Sequence, residues 1–147
     1  MPDRFRVLIT GSRSWSDEQA IRDALAPIAF MYGPENVVVV HGACPKGADA
    51  LADRVASAWT GMAVERYPAE WTAPCGPVCR TPHRRRRLDG ATYCPMAGLN
   101  RNQFMVDLGA DVLLAFQVDD SRGTADCIRR AEQAGIPVRR YEGSSRA

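Results

Sequence analysis

The chain predicts an α/β fold, a three-layer sandwich of about five mainly parallel strands between helices, and three features carry that reading. Short runs rich in β-branched and other apolar residues recur along it: Phe5–Thr10, Asn36–His41, Ala63–Tyr67, Asp111–Phe116 and Pro137–Tyr141. Between most of them lie segments whose apolar residues repeat at helical spacing. The connections after the first, second and fourth runs contain glycine, as tight strand-to-helix turns do. Strands that alternate with helices pair in parallel through right-handed crossovers. In such sheets a ligand binds beyond the carboxyl ends of the strands, near the point where the strand order reverses.

Each element follows from local chemistry. Phe5–Thr10 reads as a buried first strand that ends at Gly11–Ser12–Arg13. Ser16 and Gln19 have capping-box spacing for a helix carrying Ile21, Leu25 and Ile28, and Pro27 is expected to kink or shorten it. The second strand runs into Gly42–Ala43–Cys44–Pro45–Lys46–Gly47, and the next helix is expected to start near Ala48 and bury Leu51, Ala52, Val55 and Trp59. After the third strand, a segment of Pro, Gly, Cys and Arg interrupts the alternation from about Trp71 to Gly98. Asn100 and Gln103 have capping-box spacing for a helix through Met105 and Leu108. Gly123–Thr124 opens a last helix that stops at Gly135, and Cys127, Ala131 and Ala134 share one face, so Cys127 reads as core. Gly143 to Ala147 reads as a frayed end.

With 147 residues, the expectation is one domain over 1–147, with the Cys/His/Arg-rich loop inserted at about 72–98. A hydrophobic content of 46% and a charged content of 24% suit a globular protein, and no apolar run approaches the roughly 20 residues that span a bilayer. The N-terminus enters the first strand with no signal-peptide core, so a cytoplasmic location is the expectation. Net charge is only +2, yet six arginines and one aspartate fall between Cys75 and Phe104, leaving about −3 on the remainder. A weakly acidic body with one basic protrusion points to a local anionic partner.

Cys75, Cys79, His83 and Cys94 are spaced like ligands for one metal ion: three residues separate each of the first three from the next, and ten separate His83 from Cys94. Three thiolates and an imidazole complete a tetrahedral shell for a structural Zn2+ that would fold a loop too polar to pack alone, with turn-forming Gly76, Pro77, Pro82 and Gly90 beside them. The competing reading is a reduced or redox-sensitive loop. Arg84–Arg85–Arg86–Arg87 follow His83 directly and would be displayed by such a knuckle, as a solvated face or as a clamp for polyphosphate or single-stranded nucleic acid, with Trp71 and Tyr93 as stacking candidates.

The glycine turns carry the other chemistry. Gly11, Ser12 and Arg13 offer close backbone approach and donors to an anion. Gly42 and Gly47 bracket a turn into a helix N-terminus that favours phosphate, though it is no Walker A loop, and Asp49 reads equally as helix cap or ligand contact. Cys44 reads as a passive thiol, since no second histidine is placed to activate it. Arg101–Asn102 and Ser121–Arg122–Gly123–Thr124 complete the set, each at a helix start.

In this order the motifs GSR, HGACPKGAD, PAEW, AGLNRNQFM and SRGTAD followed by GIPV resemble the YspA-like branch of the SLOG superfamily, which also holds the DNA-processing protein DprA and the Lonely-guy phosphoribohydrolases. The resemblance covers nearly the whole chain apart from 72–96. It implies a Rossmann-like sheet that binds a nucleotide or nucleotide-derived ligand. By motif match its contacts are Gly11, Ser12, Arg13, Gly42, Gly47, Asp49, Arg101, Asn102, Gly123 and Thr124. A homodimer is a further expectation of the resemblance. The Lonely-guy motif Pro-Gly-Gly-x-Gly-Thr-x-x-Glu is not matched: Asp119–Asp126 lacks the Pro-Gly-Gly, and Asp126 falls one position before the glutamate. Three functions follow as expectations. The first is a nucleotide-binding domain with the zinc loop as lid. The second is a nucleotide N-glycosidic or phosphate hydrolase with Asp126, Asp49 or Glu70 as acid/base. The third is a single-stranded nucleic-acid binder acting through Arg80 and Arg84–Arg87.

Overall fold

The computed structural model describes residues 3–72, 75, 84–118 and 120–143. Along the chain run β1 (Phe5–Gly11), α1 (Glu18–Tyr32), β2 (Val37–His41), α2 (Ala48–Ala58), β3 (Ala63–Arg66), β4 (Arg85–Arg86), β5 (Thr92–Tyr93), α3 (Ala97–Asp107), β6 (Val112–Gln117), α4 (Arg122–Gln133) and β7 (Val138–Glu142). The main sheet has the order β3-β2-β1-β6-β7, with every pair parallel. It is the three-layer Rossmann-like arrangement that the apolar runs predict.

The pleat explains the layers. Successive side chains of a strand point to opposite faces. Val7 and Ile9 of β1, Val37 and Val39 of β2, and Leu114 and Phe116 of β6 therefore pack with α1 and α2. Their neighbours Leu8, Val38, Val40, Leu113 and Ala115 pack with Met105 and Val106 of α3 and with Cys127, Ile128 and Ala131 of α4. A continuous apolar run is thus two buried half-strands, one for each helical layer. The strand order reverses between β1 and β6, whose ends are in register at Gly11 and Phe116, and this puts a crevice at that rim.

Several boundaries differ from expectation for local reasons. Asp17, not Ser16, caps α1: its Oδ1 accepts from the Ala20 N–H at 3.0 Å. Pro27 does not shorten that helix, because it sits on the exposed face, where the carbonyl it leaves unpaired can turn to water. Leu51 and Trp59 are only half-buried, and α2 packs instead through Ala48, Ala52, Val55 and Ala56. The helix α3 starts at Ala97, before Asn100; a turn that bonds the Ala97 N–H to the Cys94 carbonyl at 3.1 Å launches it without any capping side chain. Cys127 is core, as its spacing predicts, but Ala134 is exposed at the end of α4. Among the described residues, no helix is long and apolar enough to cross a membrane.

Within the interruption, β4 and β5 form a small antiparallel ladder that pairs Arg85 with Tyr93 and Arg86 with Thr92. Gly90, at φ 89°, supplies the left-handed position of its turn, and the Gly90 N–H bonds the Arg87 carbonyl at 3.0 Å.

Candidate ligand cleft

At the reversal point a cleft of about 550 Å³ opens between the end of β1, the first turns of α3 and the start of α4. Eight of the ten residues expected to contact a ligand lie on its wall: Gly11, Ser12, Arg13, Asp49, Arg101, Asn102, Gly123 and Thr124. Gly42 and Gly47 do not. A Cβ on Gly47 would stand 2.3 Å from the Ser12 carbonyl oxygen, and Gly47 has φ +78°, so its glycine serves the contact between two turns. A Cβ on Gly42 would meet the Arg101 guanidinium at 2.2 Å, so this glycine makes room for Arg101.

The wall residues play different parts. Ser12 is saturated by backbone: its hydroxyl donates to the Val118 carbonyl at 3.0 Å and accepts from the Val118 N–H at 2.8 Å, and its carbonyl accepts from Ala48 at 3.1 Å. It ties β1 to β6 and α2 and has no donor left for a ligand. Asn102 is equally committed, donating to the Gly123 carbonyl at 3.2 Å and to Asp126 at 3.1 Å. It thereby holds the first turn of α4 against α3.

Arg101 is a hinge pin with a spare edge. Its Nη1 donates to the Gly42 and Tyr67 carbonyls, and its Nε to Asn102 at 3.1 Å, while Nη2 makes no hydrogen bond among the described residues. Arg13 is exposed on the wall and makes no hydrogen bond or ion pair among them. The N-terminus of α4 lines the same cleft. Ser121 caps it through a 3.4 Å bond from the Thr124 N–H, and a Cβ on Gly123 would meet nothing within 4 Å. That glycine borders open space.

Of the three candidate acid/base carboxylates, only Asp49 reaches this wall. Burial pushes its carboxyl above the ordinary range, opposed by neighbouring His41 and Arg101 and by the Cys44 N–H, which donates to it at 3.3 Å. Asp126 lies behind the wall with its oxygens taken by Arg129 at 2.7 Å, Arg130 at 2.8 Å and Asn102. Glu70 is exposed and lines a separate hollow with Tyr67 and Phe104. Cys44 is on the wall but has no base: His41 Nδ1 accepts from the Ala43 N–H at 2.9 Å, which puts the ring proton on Nε2, 2.6 Å from Asp53. Arg66, with help from His41, holds the Asp53 carboxyl down at about 2. Burial pushes the Cys127 thiol up to about 11, which suits an inert core residue.

Of the metal-spaced residues, Cys79 and His83 lie outside the described residues, as does Arg80. Cys94 is buried at the foot of the hairpin, with its N–H on the Trp71 carbonyl at 2.8 Å, and half-buried Cys75 accepts from Arg84 Nη1 at 3.6 Å. Among the described residues, no group of three or more His, Cys, Asp or Glu is placed to hold a metal ion. Arg84 is not displayed with its neighbours: it bonds Thr92 Oγ1 at 3.2 Å and the Thr92 carbonyl at 3.1 Å and staples the loop.

Gly98, Leu99, Met105, Ser14 and Asp120 also line the cleft and are not among the residues expected to contact a ligand. Gly98 and Leu99 are there because α3 starts early, on a turn without a capping side chain. Trp71, a stacking candidate from its type alone, stands on the same wall with its ring against Gly98.

The Gene 61 protein of Mycobacterium phage D29 is 44% identical over 133 residues, covering 90% of this chain and 93% of its own. Two crystal structures of the C-terminal domain of a Pyrococcus furiosus hydrogenase align over 96% and 95% of the chain and 95% and 92% of their own, at 17% and 16% identity and a TM-score of 0.41, too loose a likeness to bear on function. Residues 5–73, which hold β1, the Gly42–Gly47 turn and α2, match the family described as YspA, cpYpsA-related SLOG. With the ordered motifs, the parallel sheet and this match together, the chain belongs to the YspA, cpYpsA-related SLOG family.

Proposed function

We propose that the chain binds a nucleotide or nucleotide-derived ligand in the cleft between β1, α3 and α4, with an anionic group at the first turn of α4 between Arg13 and Arg101. The observation that carries this is the bare, open Gly123 at a capped helix N-terminus, on one wall with two guanidinium groups that have capacity left. Helix N–H groups and arginines both favour phosphate oxygens. The carboxylates of Asp49 and Asp120 on the same wall accept from hydroxyl or amino groups, which a sugar and base provide. Membership of a SLOG family points the same way. Titration with a panel of ribonucleoside monophosphates and dinucleotides, read by calorimetry, tests the reading. Binding that weakens at least about tenfold in Arg13→Ala supports it. No heat from any member of the panel would sink it.

Catalysis is the second reading, and the position of Asp49 narrows it. A buried carboxyl raised above its ordinary range is equipped to hold a proton beside a bound ligand. Turnover of a panel nucleotide, lost in Asp49→Asn with binding retained, would establish a hydrolase; binding without turnover leaves a binding protein.

For the inserted loop, the reading is a structural Zn2+ on Cys75, Cys79, His83 and Cys94. It rests on ligand type and spacing, with Cys94 buried at the foot of the hairpin. Native mass spectrometry is expected to find one zinc per chain, removed by a chelator and absent from Cys79→Ser. A wild-type chain isolated in zinc-supplemented medium with no metal bound would refute it.

A further inference from the structure

A second hollow of about 460 Å³ adjoins the cleft, walled by Arg13, Trp71, Arg85, Arg87, Tyr93 and Pro95. Arg13, Trp71 and Pro95 line both spaces, so the two are neighbours that share a wall. The pleat of the small hairpin sorts the arginine run. Arg84 and Arg86 fall on the face of Thr92, and Arg85 and Arg87 on the face of Tyr93. Arg84 is consumed by the loop's own carbonyls and hydroxyl. By contrast, the Arg85 side chain makes no hydrogen bond or ion pair among the described residues, and the Arg87 side chain makes only a cation–π contact, 5.6 Å above the Tyr93 ring.

Three arginines therefore border one small hollow, and no carboxylate among the described residues lines it. Like charges so gathered repel one another until an anion enters. The aromatic partition is fixed: Trp71 packs on Gly98, meets Tyr93 edge-on at 6.1 Å and receives the Cys94 N–H on its carbonyl.

Building on the nucleotide reading, we infer that this hollow is a second anionic subsite, which takes the distal phosphates of a ligand whose first phosphate lies at α4. The ligand class is then a nucleoside di- or triphosphate or a dinucleotide, not a monophosphate. A single-stranded polymer fits less well, because among the described residues only Arg13, Arg85 and Arg87 bring positive charge to the hollow, and the chain outside Cys75–Phe104 carries about −3.

Arg85→Ala/Arg87→Ala tests this with little risk to folding, since both side chains are exposed. Calorimetry at fixed ionic strength would compare the four ribonucleoside monophosphates, the four triphosphates, tripolyphosphate and a short single-stranded oligonucleotide. The wild type is expected to bind its preferred triphosphate at least about tenfold tighter than the matching monophosphate. The double variant should bring that ratio close to one and leave monophosphate affinity unchanged. A ratio that survives in the double variant overturns the subsite. So does an oligonucleotide that outcompetes every triphosphate and is released by the double substitution. Tripolyphosphate binding that depends on both arginines, with no nucleotide of either kind bound, would keep the subsite and sink the nucleotide reading instead.

Discussion

The turn after β2 and the start of α4 carry the same glycine-rich signal at the same rim of the sheet, yet their glycines do opposite things. In the first, Gly42 and Gly47 are bare because protein fills the space where a Cβ would go, at 2.2 Å and 2.3 Å. His41, Ala43, Cys44 and Asp49 close the turn on itself, with Asp53 and Arg66 behind it. In the second, Gly123 is bare with nothing within 4 Å. A glycine that avoids a clash with the chain and one that leaves room for a ligand look identical in sequence. The first kind builds the site and the second kind receives.

Substitutions can separate the two roles. The largest effect is expected from Gly47→Ala, which places a methyl against the Ser12 carbonyl in a left-handed backbone. Backbone strain and overpacking together should cost about 3 kcal/mol or more, read as a lower urea midpoint at unchanged slope. A change within experimental error would mean that this turn is not the rigid member of the pair.

Arg101→Ala comes next. It removes bonds to Gly42, Tyr67 and Asn102 and should destabilise by about 1.5–3 kcal/mol while abolishing measurable ligand binding. Gly42→Ala sharpens the test, because the nearest atoms to its methyl belong to the movable end of Arg101. Affinity should fall about tenfold for a stability loss of about 1 kcal/mol.

Acid probes the closed turn through Asp53, whose carboxyl is held at about 2 against an ordinary 3.8. Between those values the unfolded chain takes up the proton first, so this contribution is complete above about pH 4 and disappears as the pH falls toward 2. Asp53→Asn should flatten the stability profile in that window and leave it parallel to wild type at higher pH, as measured by denaturant titrations at each pH. The smallest effect on stability belongs to Gly123→Ala. The fold should hold or gain up to about 1 kcal/mol, since alanine is the better helix former, while ligand affinity drops. Lost stability there would remove the contrast between the two turns.

Much of this was readable from residue order. Unbroken apolar runs such as Val37–Val40 must be covered on both faces, which imposes a parallel sheet between two helical layers, and turns at the carboxyl ends of parallel strands necessarily share one rim. Eight of ten expected contacts reach the cleft for that reason. The capping signals at Ser16 and Asn100 misplaced two helix starts, because Asp17 lies closer to the first helical N–H groups and a backbone turn at Cys94 launches α3 early.

Local pattern set the strands, the layers and the rim, because burial periodicity is a property of neighbours along the chain. Which groups are left over at that rim depends on partners far away in sequence. Ser12 spends its hydroxyl on Val118, Asp126 its oxygens on Asn102 and two arginines, and Arg84 its guanidinium on Thr92, while Arg13, Arg85 and Gly123 stay available. A donor's availability is what remains after packing has claimed its share, and packing brings together residues that the linear order keeps apart.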